Sequence, residues 1–481
     1  MGSGYGGAVA ALRLAEARLN VCVLERGQEY VAGEFPSDLG DVGKHVRAQW
    51  QGAGAVQNAG YEDALFDFRL GQGAAALVGN GLGGGSLINA GVGLQPDHAV
   101  FQGEHWPTAI RRTNLNPWFE QARAMLELSN PDDPRRCFDL RVTRKYQALQ
   151  ALHEGLPSRP AAPDTAAVTA RFQEVPVAVC LHPWQLDAQS GTLGPRAACT
   201  GCGNCVSGCN EDAKLSLTKT YLPAARRAGA RLFAGATVLS VHRDDEHAFP
   251  WVVRIVRTTE RSLYEGLSAR SGGSSPTQWI HVLRARHVVL AAGTFGSTEI
   301  LLRSRSATAD MQGRPWSALS TSDRLGERVS GNGDDVACIA ELESPANALG
   351  ETSAGPNDEP TGPTISAMIR FVDGNDARRS TLVQDGGVPG LLGPVFQELI
   401  QTLTTIARLD DPASPPSDGS DDLAPQPRVR THSLTLLGMG HDDSPARIEL
   451  DAHSDRVRWQ WPNPEQAKAP PLHRARVQAG T

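Results

Sequence analysis

Gly2-Ser3-Gly4-Tyr5-Gly6-Gly7 opens the chain and runs into Ala8-Val9-Ala10-Ala11-Leu12-Arg13-Leu14-Ala15. Val21-Cys22-Val23-Leu24-Glu25-Arg26-Gly27 follows, a short apolar run ending in an acid. Gly2, Gly4 and Gly7 have G-x-G-x-x-G spacing. The Ala/Leu-rich segment behind them reads as a helix, and the second run as a buried parallel strand. The first glycine permits a tight turn, the second lets the backbone approach a pyrophosphate, and the third lets helix and strand pack closely. The helix start offers free N–H groups and a positive dipole end to phosphate. Glu25, eighteen residues after Gly7, is placed to accept hydrogen bonds from ribose hydroxyls. The pattern predicts a dinucleotide site. It also calls for a strand before Gly2, where only Met1 stands, so the expectation is a chain that lacks its first strand.

A second glycine cluster runs Gly79-Asn80-Gly81-Leu82-Gly83-Gly84-Gly85-Ser86-Leu87-Ile88-Asn89-Ala90-Gly91. So many glycines cannot build a packed core, but they suit a backbone wrapped closely around a flat polar ligand. A nicotinamide dinucleotide has no need of this second loop, whereas a flavin with its extra ring system does. The two clusters hold much of the glycine excess, 50 residues in 481 against a usual ~7%.

The length suits two or three domains. With 40% hydrophobic and 21% charged residues the chain can bury a core and is not a disordered one. Its 46 basic and 53 acidic residues give a net charge of −7 with no basic stripe, which argues against a nucleic-acid partner. Only five of the basic residues are lysine, a bias that reads as coding composition and not function. No run approaches the ~18 consecutive apolar residues of a membrane span. No secretory leader is legible, so the compartment stays open, with the cytoplasm as default.

Further along, 28–75 reads as mostly irregular, 115–128 as a helix, and the Pro/Ala-rich 155–166 as a linker. A helix is predicted over 213–228, capped by Gly229. Strands are predicted at 231–243, 251–259 and 279–284, with 265–276 as a flexible loop. His287–Gly293 reads as a buried strand running into a glycine turn, followed by a helix over 297–303. The Pro/Gly/Asn-rich 343–363 and the Asp/Pro-rich 409–427 read as mobile, solvated loops. Strands resume at 432–437 and 447–450, and the last twenty residues show little periodicity.

Five segments, in order, carry a resemblance to the glucose–methanol–choline (GMC) oxidoreductase family, most closely its cholesterol-oxidase branch. They are Gly-Ser-Gly-Tyr-Gly-Gly (2–7), Gly-Gly-Gly-Ser-Leu-Ile-Asn (83–89), and a Cys-rich segment leading into Ala213-Lys214-Leu215-Ser216-Leu217 and Tyr221-Leu222-Pro223. The others are Ala291-Ala292-Gly293-Thr294-Phe295-Gly296-Ser297 with Leu301-Leu302, and Leu325-Gly326-Glu327 with Gly331-Asn332-Gly333-Asp334. The resemblance implies an α/β fold: a Rossmann-like FAD-binding domain (1–100 and 195–335) interleaved with an α+β substrate domain on an antiparallel sheet (101–194 and 336–462), then an irregular tail (463–481). It implies oxidation of an alcohol, a sterol or another bulky hydrophobic one, by hydride transfer to flavin. The electrons would then pass to dioxygen, or to an acceptor protein or quinone. The residues it assigns to FAD are Gly2, Ser3, Gly4, Tyr5, Gly6, Gly7, Glu25, Arg26, Gly79, Asn80, Gly83, Gly84, Gly85, Ser86, Asn89, Val238, Ala292 and Gly293.

The family's catalytic His-Pro-Leu-Gly-Gly segment has no match in this sequence. His432 and His441 do not fit it, so no catalytic residue is assigned, and the expectation is a chain truncated at both ends and inactive or impaired. An electron-transfer or redox-sensing flavo-iron–sulfur protein without alcohol chemistry is the alternative.

Four of the eight cysteines fall in Cys199-x2-Cys202-x2-Cys205-x3-Cys209. The spacing is that of a ferredoxin cluster run, with Asn210 in place of the usual proline. Four thiolates suit zinc equally, and disulfides are a third outcome. A single [4Fe–4S] cluster would use all four, or a remote Cys180. The three readings stay open at this point.

Overall fold

Ala8, Ala11, Leu12 and Ala15 lie on one face at helical spacing and are the buried side of helix α1, Tyr5–Glu16. The structure, a computed structural model, describes residues 1–52, 54–102, 106–107, 109–110, 112–134, 136–156, 168–181, 197–270, 279–309, 315–350, 359–373, 380–409, 431–442, 444–451 and 453–461. After α1 come strand β1 (Cys22–Leu24), a short helix α2 (Leu39–Val42), and strands β2 (Val46–Gln51), β3 (Val56–Gly60), β4 (Phe66–Leu70) and β5 (Ala75–Gly79). Helices α3 (Arg112–Met125) and α4 (Arg144–Glu154) and strand β6 (Val168–Glu174) lead to α5 (Tyr221–Arg227). Then follow β7 (Arg231–Phe233), β8 (Ala236–Arg243), β9 (Trp251–Arg257), α6 (Arg261–Arg270), β10 (His281–Ala285) and α7 (Gly293–Arg303). The remainder holds β11 (Thr308–Ala309), β12 (Pro315–Trp316), β13 (Asp335–Ile339), β14 (Ala367–Asp373), β15 (Thr381–Gly386), α8 (Gly393–Leu409), β16 (Leu434–Met439), β17 (Arg447–Leu450) and β18 (Val457–Gln460).

The predicted α/β character is present. Strands β1 and β7 pair in parallel, Cys22 opposite Arg231 and Leu24 opposite Phe233. Helix α1 packs its alanine face on Leu222 and Ala225 of α5, over Val23. Strands β10-β9-β8 form an antiparallel sheet on which Ile300 of α7 rests. A five-stranded antiparallel sheet, β13-β16-β15-β14-β6, holds the largest core, with Tyr146 and Leu149 of α4 packed on Ile369, Val383 and their neighbours.

Several expectations fail, each for a physical reason. Residues 28–75 are irregular only in part: they also hold α2 and most of the sheet β3-β2-β4-β5. The strands there bury Arg47, Gln49, Asp67 and Arg69, so the inward face is charged and the usual apolar alternation is inverted. Residues 213–220 are not helical. Lys214 bridges Val179, Leu215 N bonds Ala178 O, and Ser216 and Thr220 spend side chains on local bonds that compete with helix. The helix that remains ends before Gly229, whose φ of +104° suits the predicted cap. Residues 265–270 belong to α6 and not to a loop; 271–278 lie outside the described residues.

His287–Leu290 belongs to no strand and is only partly covered. Its neighbour toward β1 is the single residue Met1: the Met1 amino group donates to Val289 O, Ala291 N to Met1 O, and Gly2 N to Leu24 O. The following helix begins at Gly293, earlier than predicted. The described parts of 343–363 are not a solvated loop. Ala346, Ala348, Leu349 and Thr361 are buried, and Ala346 N, Val388 N and Gly350 N bond Thr431 O, Ala348 O and Val388 O. The predicted linker beyond 156, the 410–427 loop and the 463–481 tail lie outside the described residues.

Candidate functional site

The starts of α1 and α7, the end of β1, and the second glycine cluster face one cavity of about 770 Å³. That is within the ~300–1,000 Å³ usual for a ligand pocket. Of the predicted residues, Gly2–Gly6, Glu25, Arg26, Gly79, Asn80, Gly84, Gly85, Val238, Ala292 and Gly293 line it. Gly7, Gly83, Ser86 and Asn89 do not line it and act behind it.

Gly7 fixes the turn: a Cβ there would stand 2.0 Å from Gly2 O. Gly84 (φ +55°) brings the second cluster onto the first, where a Cβ would stand 2.9 Å from Gly4 Cα. Gly83 N donates to Ser3 Oγ (2.9 Å), tying the two loops together. Ser86 Oγ donates to Gly83 O and accepts from Leu217 N (2.7 and 3.1 Å). Asn89 Nδ2 donates to Tyr5 OH (2.9 Å).

Neither α1 nor α7 has a side-chain cap or an acid in its first turn. Both therefore present unsatisfied N–H groups and positive dipole ends to the same cavity, which favours anionic groups there. Glu25, buried at the end of β1, accepts from Ser3 N (2.9 Å), Ser3 Oγ (2.7 Å) and Gly27 N (3.0 Å). A carboxylate has about four acceptor sites, so about one is left for a hydroxyl donor. Val238 lies beside a register shift between β8 and β9, at Val238/Ser240, that frees backbone from the ladder. The glycine cradle, the two helix starts and the carboxylate fit a dinucleotide, and the second loop gives room for a further ring system.

Two predicted residues are already engaged with the protein. Arg26 donates to Asn80 Oδ1 (3.0 Å) and Asp67 Oδ2 (2.5 Å). Asn80 Nδ2 donates to Ala64 O (2.8 Å) and Glu62 O (3.3 Å). They support the cavity wall and leave few polar atoms for a ligand.

The sequence reading missed the rest of that wall: Arg47, Glu62, Arg69, Arg261, Glu299, Arg303 and Arg456. Asp67, fully buried, meets Arg26 (2.5 Å), Arg47 (2.5 Å) and Arg69 (2.8 Å). Glu62 meets Arg47 (3.1 Å) and Arg456 (2.5 Å), and Arg456 continues to Glu265 (2.6 Å). Arg303 joins Glu299 to Asp455. These groups come from the 28–75 segment, from α6, from α7 and from the β17–β18 hairpin. Only Arg47 and Arg69 carried a local signal, as alternate positions of short strands. No histidine lines the cavity, among the described residues, and His432 and His441 lie away from it.

Burial pushes Glu62 up, but Arg47 and Arg456 outweigh it and hold it to about 2. Glu299 behaves alike: burial opposes ionisation, and Arg303, Arg69 and Arg261 bring it to about 2. Both lie below the ordinary 4.5, so the unfolded chain takes up these protons first. The stability they give is whole above about pH 4.5 and is lost as pH falls toward 2. Melting temperatures measured from pH 5 down to pH 2 should fall, and more shallowly for Glu62→Gln; a slope unchanged by that substitution would contradict the assignment.

The four cysteines of 199–209 line one small cavity of their own, with Lys214. All eight cysteines are free thiols. Burial pushes Cys199 well up, and raises Cys202 and Cys209. Burial pulls Lys214 down to about 8. No three His, Cys, Asp or Glu among the described residues stand at metal-ligand geometry, so the structure gives the predicted metal set as neighbours and not as a formed centre. No helix among the described residues is long and apolar enough to cross a membrane.

Comparison with known proteins bears on this site. Residues 194–315 match the family model described as GMC oxidoreductase. A cholesterol oxidase of Mycobacterium tuberculosis is 29% identical over 413 residues, covering 84% of this chain and 63% of the relative. One from Acinetobacter baumannii is 26% identical over 341 residues, 70% of this chain and 54% of the relative. The chain thus spans less than two thirds of the length of these relatives. Among solved structures, a fungal aryl-alcohol oxidase matches 99% of this chain and 80% of its own at 15% identity, TM-score 0.48. A formate oxidase matches 100% and 78% at 11% identity, TM-score 0.49.

Proposed function

We propose that this chain is a member of the GMC oxidoreductase family and, from that premise, an FAD-dependent oxidoreductase acting on the CH–OH group of an alcohol. The observation that carries the reading is the cavity itself: two glycine loops and two uncapped helix starts converge on it with the Glu25 carboxylate. In this reading the N–H groups at the starts of α1 and α7 bind the pyrophosphate, and Glu25 takes a ribose hydroxyl. Gly79, Gly84 and Gly85 let the backbone pass close to the ring system, with Gly83, Ser86 and Asn89 holding that loop in shape. Bound FAD would supply a hydride acceptor at N5. The cholesterol-oxidase relatives support sterols or other bulky hydrophobic alcohols as donors and dioxygen as the oxidant; an acceptor protein or quinone is the alternative oxidant in this reading.

Among the described residues no histidine lines the cavity to take the hydroxyl proton. General-base catalysis contributes about 10²–10⁴-fold, so reduction of the flavin in this chain should be slow by about that factor. The test is anaerobic mixing of the FAD-loaded chain with cholesterol and with simple primary and secondary alcohols. A slow, alcohol-dependent loss of the flavin's visible absorbance is expected. Absorbance unchanged with every alcohol would overturn the proposal.

A further inference from the structure

Lys214 is buried, yet none of its contacts is a carboxylate. Its Nζ donates to Leu87 O (3.1 Å), Asn89 O (2.5 Å) and Cys205 O (2.9 Å). Three carbonyl oxygens satisfy its donors but do not neutralise its charge, and a buried charge without a counter-charge is costly. The groups beside it that can carry negative charge are the thiols of Cys205 and Cys209.

A backbone donor is also aimed at a sulfur of the same run. Gly201 N donates to Cys199 Sγ (3.4 Å). The backbone N–H of Asn204 favours the thiolate of Cys202, and those of Glu211, Ala213 and Lys214 favour that of Cys209, against the opposing effect of burial. A neutral thiol is a weak acceptor, and a disulfide sulfur has no charge to stabilise. N–H groups directed at sulfur are useful where the sulfur is a thiolate, as in metal–thiolate centres. Gly201, Gly203 and Gly208 all hold positive φ (+78°, +79° and +104°), which turns the run around its cavity.

We propose that Cys199, Cys202, Cys205 and Cys209 together bind one thiophilic metal centre, with Lys214 as its buried counter-charge. Four thiolates around one zinc ion, or around one [4Fe–4S] core, leave a net charge of about −2, which this surrounding is built to hold. The neighbours chosen are those four: they line one cavity, and Cys180 does not line it. The sulfurs are not at ligand geometry in this structure, so binding tightens the loop, as is usual for ligands that close on their metal. Lys214 also joins the run to the loop 87–89, which places the centre directly behind the second glycine cluster. The inference does not rest on flavin binding, and its test does not use it.

The test is metal and acid-labile sulfide analysis of the full chain, purified without oxygen from cells supplied with iron and zinc. One zinc without sulfide, or about four iron with about four sulfide, is expected per chain, and either supports the proposal. Cys202→Ser and Cys205→Ser should each lower the metal content at least tenfold while the far-UV circular dichroism stays that of the parent. Cys22→Ser and Cys338→Ser should leave it unchanged. Lys214→Met should weaken metal binding by about 10–100-fold. Metal below a tenth of an equivalent, with four thiols titrating freely or paired as disulfides, would overturn the proposal. So would metal retained in both cysteine variants.

Discussion

Gly7→Ala is expected to weaken FAD binding at least a hundredfold, a loss of about 2.7 kcal/mol. Gly7 sits in the first turns of α1, where its φ/ψ is open to any residue, so the effect is steric and not conformational. The added Cβ would stand 2.0 Å from Gly2 O and 2.9 Å from the Gly2 carbonyl carbon. Both are backbone atoms, which no rotamer change can move away. The turn before α1 must therefore open, and the N–H groups at its start leave the line toward the cavity. Fluorescence titration with FAD measures it. Gly43→Ala serves as a control, because its Cβ would meet nothing within 4 Å and it lies outside the cavity. Equal affinity for FAD in Gly7→Ala and the parent would refute the role given to this turn.

Asp67→Ala should be the most damaging single change to stability, at about 3–5 kcal/mol or more. Its carboxylate is fully buried and meets three guanidinium groups, of Arg26, Arg47 and Arg69. Burial pushes its carboxyl up, but the three arginines hold it well below the ordinary carboxylate range. Removing it leaves three positive charges close together, and Arg47 and Arg69 are themselves almost fully buried. Urea unfolding measures the cost. A loss under about 1 kcal/mol would mean that this network is solvated and the pair energies small.

These two residues mark the limit of what the sequence discloses. Gly7 was legible because the demand on it is local: turn, helix and spaced acid lie within 24 residues, and each has a backbone reason. The second cluster was legible for the same cause, since close backbone approach leaves glycine as a visible trace. Asp67 was not. Its strand, Phe66-Asp67-Phe68-Arg69-Leu70, buries the charged positions along with Phe66, so the pattern that normally marks a core face is disguised. Its partners Arg26 and Arg47 lie 41 and 20 residues away, and the network extends to Arg456 through Glu62. Nothing in a local window links such residues. The helix α6 was missed likewise, because its Ser, Gly and Arg content resembles a loop and its ordering comes from Arg261 held by Asp455 and Glu265. The Cys run was legible as a cluster but not as to its use. What the structure adds there is the environment: donors on the sulfurs and a buried lysine without a carboxylate.

Alcohol oxidation by this chain requires FAD binding in the glycine cavity. Isothermal titration of the 481-residue chain with FAD tests it most directly. One FAD per chain is predicted, with ADP competing because the α1 start and Glu25 recognise the adenosine diphosphate half. A chain that is folded by circular dichroism yet takes up no FAD, or binds it without competition from ADP, would contradict the account.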